Sequence, residues 1–107
     1  MDRRIREVLA RLDDKWRERC SVEELAASVN LCPSRLEHLF KSNVQSSIRD
    51  LIRRRRLAEA ARLLLTTHDR VSAIAWAVGF RDASNFNHAF RRQFGVSPKQ
   101  FRERQRG

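Results

Sequence analysis

Apolar residues recur along this chain at spacings of three and four, the mark of one-sided helices, and nowhere show the strict alternation of a strand. Ile5, Val8, Leu9, Leu12 and Trp16 define a first amphipathic helix. Ser21 is then a suitable N-cap, with Glu24 three residues later completing a capping box. The short helix it opens carries Val22, Leu25, Ala26 and Val29 on one face. Asn30, which tolerates a left-handed backbone, leads through Leu31 and Cys32 to Pro33, well suited to a helix start. The next helix is expected to bury Leu36, Leu39, Phe40 and Val44. A long helix follows from about Ile48 to Leu65, with Leu51, Ile52, Leu57, Ala60, Ala61 and Leu64 as its apolar positions. At about 1.5 Å per residue it would span about 27 Å. His68-Asp69-Arg70 interrupts the pattern. Val71, Ile74, Ala75 and Val78 form another short helix closed by Gly79; Phe86, Ala89, Phe90 and Phe94 form one closed by Gly95. Ser97-Pro98 opens a last helix containing Phe101. The pattern predicts an all-α chain. Trp16 and Trp76 sit on or beside apolar stripes and are expected in the core.

The second half repeats the first. Val22, Leu25, Ala26, Val29, Asn30 and Leu31 match Val71, Ile74, Ala75, Val78, Gly79 and Phe80 at a shift of 49. One extra residue then enters the second turn, and Ser34, Leu36, His38, Phe40, Lys41 and Ser47 match Ser84, Phe86, His88, Phe90, Arg91 and Ser97 at a shift of 50. Two copies are too few for a solenoid. Each copy reads as a short helix, a turn through Asn or Gly, and a second helix, which is the helix-turn-helix pattern. Plain helical bundles also contain such pairs.

Composition narrows the partner class. The 107 residues carry 23 Lys+Arg against 13 Asp+Glu, a formal charge of +10, and a field of that sign favours polyanions. Arginine supplies most of it; the only lysines are Lys15, Lys41 and Lys99. Arginine's planar fork suits phosphates and guanine edges. No apolar run approaches the roughly 20 residues of a membrane span, and Met1-Asp2-Arg3-Arg4 does not read as a secretory leader. Cys20 and Cys32 lack metal-ligand spacing, so no metal is expected and a reduced, cytoplasmic setting fits best. No nucleophile–base pair at helical spacing and no Gly-rich phosphate loop point to catalysis or a cofactor.

The polar faces carry the candidate chemistry. At 100° per residue, Leu36, Leu39 and Phe40 fix the buried side of one helix, and Ser34, His38, Lys41, Ser42 and Gln45 lie opposite, flanked by Arg35 and Glu37. In the second copy Ser84, His88, Arg91 and Arg92 lie opposite the core, flanked by Asn85 and Asn87. Short donors and acceptors near a helix start, with cations one turn on, are what major-groove reading requires. Each histidine, taken alone, reads more readily as a solvated surface residue; their recurrence at matched sites on the polar faces brings the two readings level. In Arg53-Arg54-Arg55-Arg56 four consecutive arginines cover every direction, so Arg56 is expected to serve structure with its stem over apolar surface. Arg53, Arg54 and Arg55 suit either phosphate contact or solvent. Arg3, Arg4 and Arg6 read as solvent-facing.

These residues together resemble the AraC/XylS family of transcription regulators, in its C-terminal DNA-binding domain. The strongest likeness runs from Ile74-Ala75-Trp76-Ala77-Val78-Gly79-Phe80-Arg81-Asp82 through Ser84-Asn85-Phe86-Asn87-His88-Ala89-Phe90-Arg91-Arg92-Gln93-Phe94-Gly95-Val96-Ser97-Pro98. Leu31-Cys32-Pro33-Ser34-Arg35-Leu36 and Leu39-Phe40-Lys41 resemble the first unit; Arg56-Leu57, Ala60 and Leu63-Leu64 resemble the linker. The resemblance implies seven helices: two helix-turn-helix subdomains, residues 1–47 and 67–107, joined by a linker helix over 48–66 in a single DNA-binding domain. It implies base contacts from Ser34, Arg35, Glu37 and His38 in the first unit and from Ala83, Ser84, Asn87 and His88 in the second, with Asn85 beside them. Lys41 and Arg91 match phosphate-contact positions, to which Arg54, Arg55, Arg92 and Lys99 are added as candidates. The implied partners are double-stranded DNA and, for an activator, RNA polymerase. Where the family has a glycine after the third helix this chain has Gln45; its N-cap serine is Cys32; and Ala83 offers no hydrogen bond. The larger members' N-terminal effector-binding and dimerisation domain has no counterpart in these residues, which is the expectation for an excised domain or a small stand-alone regulator.

Two recognition helices on one face of B-DNA must lie about 34 Å apart, and a covalent linker would let a monomer read an asymmetric site. The rival readings are charge-driven non-specific binding and a helical adaptor for an acidic protein; an enzyme fits least.

Overall fold

Seven helices account for most of the described residues, and their ends follow from local chemistry. A computed structural model describes residues 1–16, 18 and 21–106; Cys20, weighed above with Cys32, lies outside them. The helices are α1 (Arg3–Lys15), α2 (Val22–Ser28), α3 (Pro33–Val44), α4 (Ile48–Thr66), α5 (Val71–Ala77), α6 (Ala83–Phe94) and α7 (Pro98–Arg106), with no strand among the described residues. No described helix is long and apolar enough to cross a membrane. The expected all-α, seven-helix architecture is the one found.

The chain divides into two compact units, residues 1–53 and 54–107. In the first, Ile5, Val8 and Leu12 of α1, Leu25 and Ala26 of α2 with its C-cap Val29, Leu36 and Phe40 of α3, and Ile48 of α4 form one buried cluster, with Leu51 and Ile52 packed against it. Asp2 caps α1: its carboxylate accepts the Arg4 backbone N–H at 2.8 Å, while its own N–H donates to Asn43 Oδ1 on α3 at 3.0 Å. Arg4, expected in solvent, is instead half-buried and bound to both Asp2 carboxylate oxygens. That guanidinium holds the Asp2 carboxyl below the usual carboxylate range.

The second unit buries Leu57, Ala60 and Leu64 of α4 with Ile74, Ala75, Val78, Phe86 and Phe90. Aromatic rings extend from this core toward the surface: Phe80 meets Phe86 edge-on at 5.3 Å, Phe90 lies 4.4 Å from the exposed Phe94, and Phe101 meets Phe90 edge-on at 5.4 Å. Such tilted and T-shaped pairs add to the area they bury. Arg102 of α7 reaches the C-terminal end of α4, donating from Nε to Leu64 O at 3.0 Å and from Nη2 to Thr67 O at 3.2 Å. Carbonyls left over at a helix end are satisfied there by a cation, which also suits the helix dipole. Ser97 and Gln100 form a reciprocal capping box at the start of α7, each backbone N–H donating to the other's side chain at 3.1 Å.

The repeat seen in the sequence corresponds to matched local structure. α2 and α5 are 7 residues each, α3 and α6 are 12. Leu31 N–H bonds Ala26 O and Asn30 N–H bonds Ala27 O; Phe80 N–H bonds Ala75 O and Gly79 N–H bonds Trp76 O. Both are Schellman closures, with the required positive φ at Asn30 (58°) and Gly79 (101°).

Gln45 takes the place of a glycine at the end of α3. Its φ is 67°, left-handed, where Gly95 at the end of α6 has 82°. Its side chain donates to Ser42 O at 3.2 Å, a partial offset. Replacing Gln45 with glycine removes the left-handed penalty but frees the unfolded chain, so Gln45→Gly is expected to stabilise the protein by about 0.5–1 kcal/mol. Chemical denaturation checks this; a loss of stability would mean the bond to Ser42 outweighs the strain.

Candidate nucleic-acid interface

Burial of Leu36 and Phe40 on α3, and of Phe86 and Phe90 on α6, leaves the other side of each helix open. Ser34, Arg35, Glu37, His38 and Lys41 are all exposed on α3. Ala83, Ser84, Asn85, Asn87, His88, Arg91 and Arg92 are all exposed on α6. The side chains that could take part in polar recognition therefore reach solvent in both units.

Within the second unit an open groove of about 620 Å³ is lined by Val71, Ser84, Asn87, His88, Arg91, Ser97, Pro98 and Lys99. It brings Ser84, Asn87, His88 and Arg91 of α6 together with Lys99 at the start of α7. Two cations, Arg91 and Lys99, stand among polar side chains in this lining and give it positive charge. Ala83, Asn85 and Arg92 stay outside this lining. On α4, Arg54 is exposed and Arg55 half-buried, while Arg53 pairs with Asp50 at 3.5 Å. Val71, Ser97 and Pro98 were not foreseen as groove residues. The Ser-Pro start of the last helix was visible in the sequence, but its approach to the preceding helix was not.

The starts of the two exposed helices differ. At α3 the N-cap is Cys32, exposed, with no side-chain capping bond, as its weaker chemistry suggests. At α6 the N-cap is Asp82, whose carboxylate accepts the Ser84 N–H at 2.7 Å. So α3 presents uncapped amides, which attract anions, while α6 begins with a fixed negative charge. The local signal for that cap is Asp82-Ala83-Ser84, an acidic residue just ahead of the helix.

Trp76 corrects an expectation. It is 73% exposed on α5 rather than in the core. Ile74, Ala75 and Val78 define the buried side of α5, and at 100° per residue position 76 falls away from all three. Trp16 is half-buried just beyond α1.

Residues 25–104 match the family described as "Helix-turn-helix domain". The chain is 30% identical to the DNA-binding domain of the global transcriptional factor AdpA, solved in complex with a target DNA; it covers 98% of this chain and 95% of that one, with a TM-score of 0.88. The chain belongs to the AraC/XylS family of helix-turn-helix domains. Among full-length relatives of this AraC-type domain, the HTH-type transcriptional regulator MtrA of Neisseria gonorrhoeae is 33% identical over 102 residues, covering 95% of this chain and 34% of its own length. The arabinose operon regulatory protein of Escherichia coli K12 is 33% identical over 103 residues, covering 95% and 35%. The chain thus spans about a third of the length of these relatives.

The contrast in caps is measurable. A hydroxyl at position 32 supplies the missing acceptor, so Cys32→Ser is expected to raise stability by about 0.5–1 kcal/mol, whereas Asp82→Ala lowers it by about 1 kcal/mol. Thermal unfolding of the two variants checks the pair; no gain from the serine would mean the start of α3 is already satisfied by another donor–acceptor arrangement.

Proposed function

We propose that this chain is the DNA-binding portion of a transcription regulator, and that α3 and α6 read two consecutive major-groove segments of one duplex. The observation that carries the proposal is the matched exposure of two polar helix faces, each with a histidine at the same turn and a cation three residues on, His38 with Lys41 and His88 with Arg91. In this reading Ser34, Arg35, Glu37 and His38 meet base edges from α3, and Ser84, Asn85, Asn87 and His88 do so from α6, with Ala83 giving only apolar contact. Lys41, Arg91, Arg92 and Lys99 meet phosphates, and Arg54 and Arg55 serve the backbone between the blocks. The complex of the AdpA domain with a target DNA supports the partner class. α4, 19 residues at about 1.5 Å each, is about 28 Å long, of the order of the roughly 34 Å turn of B-DNA. A covalent connection of that length lets a monomer use an asymmetric site. The regulator acts in the cytoplasm, at the nucleoid, as an activator that touches RNA polymerase; reconstituted transcription with purified polymerase tests that part.

Selection of bound duplexes from a random pool tests the main claim. The expected product is a bipartite motif with two short blocks one turn apart. With six to eight phosphates engaged, log K against log salt should fall with a slope of about −5 to −7. A pool without a motif, and equal affinity for scrambled duplexes, would establish charge-driven binding instead.

A single side chain gives a sharper check. His88→Ala is expected to cost about 1–3 kcal/mol on the selected site and little on random DNA. Equal losses on both would make His88 a phosphate contact.

A further inference from the structure

Gly79 closes α5 at a φ of 101°, beyond the left-handed well near 57° that an asparagine enters. The matched residue in the first unit, Asn30, does carry a side chain, at a φ of 58°. A second feature separates the two turns. A Cβ placed on Gly79 would meet Arg56 Nε at 2.9 Å, Cζ at 3.1 Å and Nη2 at 3.3 Å. The space a side chain would fill is already taken by the flat head of a half-buried arginine from α4.

We infer that Arg56 is a positioning residue: its guanidinium lies over the bare backbone of Gly79 and fixes the α5–α6 turn, and with it the angle at which α6 is presented. The backbone angle by itself favours glycine at position 79, and a Cβ there would in addition have to push the guanidinium aside. The planar group can lie flat against a backbone that has no Cβ, and a lysine ammonium cannot reproduce that contact. The turn between α5 and α6 carries one residue more than the turn between α2 and α3, so it has more freedom to restrain. The structural part stands on geometry alone; the functional part rests on the reading of α6 as a groove-reading helix.

A double-mutant cycle on the full chain tests the coupling without DNA. Gly79→Ala suffers the backbone penalty in any background, but it meets the guanidinium only where Arg56 is present. The expected result is that Gly79→Ala lowers the folding equilibrium constant at least fivefold more in the wild-type background than in Arg56→Ala. Equal losses in both backgrounds would overturn the proposal. Should Arg56→Ala fail to fold, Arg56→Gln supplies that corner of the cycle.

The functional arm uses duplexes from the selection with either block scrambled in turn. Arg56→Lys, which keeps the charge, is expected to lose about tenfold in discrimination at the block read by α6 while discrimination at the α3 block is unchanged and the unit still melts cooperatively. Full retention of both by Arg56→Lys would make the residue a simple cation and overturn the positioning role. If the wild-type chain selects no duplex, the functional reading of α6 fails, and the stability cycle still decides whether Arg56 and Gly79 are coupled.

Discussion

Two phenylalanines without exposed surface, Phe40 on α3 and Phe90 on α6, determine which side of each helix meets solvent. Each works with an aromatic or aliphatic partner one turn earlier, Leu36 or Phe86, which is equally buried. A helix with one stripe so anchored cannot roll without exposing large apolar area, roughly 1.5–3 kcal/mol per side chain. Everything polar on the other side is then presented in a fixed direction within its own unit. The arrangement of Ser34, His38 and Lys41, and that of Ser84, His88 and Arg91, are consequences of that anchoring.

The two units reach the same arrangement with different materials. The first relies on aliphatic packing around α1, and α3 is weakly held at both ends: Cys32 supplies no cap, and Gln45 sits in a conformation glycine prefers. The second has phenylalanines packed ring to ring, a carboxylate cap, a glycine at each turn, and an arginine from α7 bound to backbone. α6 is therefore the better-defined of the two exposed helices. Uncapped amides at α3 favour an anion there; the Asp82 carboxylate at α6 disfavours one, and the neighbouring exposed side chains, Ser84 and Asn87, are neutral donors and acceptors.

Helix positions and the repeat were legible because both rest on local rules: spacing of apolar residues, proline and serine at starts, asparagine and glycine at closures. The outward faces were legible for the same reason, since one buried stripe implies its opposite. What the sequence left unread required knowing which elements approach each other. Arg4 and Arg102 find partners through turns and contacts that periodicity does not report, and Lys99 joins the α6 groove only because α7 folds back beside α6. Trp76 is a different case. Its size argued for burial, but its register argued for exposure, and its counterpart at the 49-residue shift is the small, exposed Ala27. Register prevailed, because α5 is already anchored by Ile74, Ala75 and Val78.

Arginine 56 shows how a charge can be absorbed into shape. Of the four consecutive arginines, Arg53 and Arg54 face solvent, and Arg55 and Arg56 are half-buried. Net charge counts all four alike, yet a half-buried guanidinium packed beside Gly79 is less open to a phosphate than the exposed Arg53 and Arg54. Long-range charge and packing inside the fold are thus supplied by the same residue type, divided by position along one helix. The formal charge of +10 sets long-range attraction, and the number of arginines already committed to backbone lowers the number of phosphates that can be neutralised at contact.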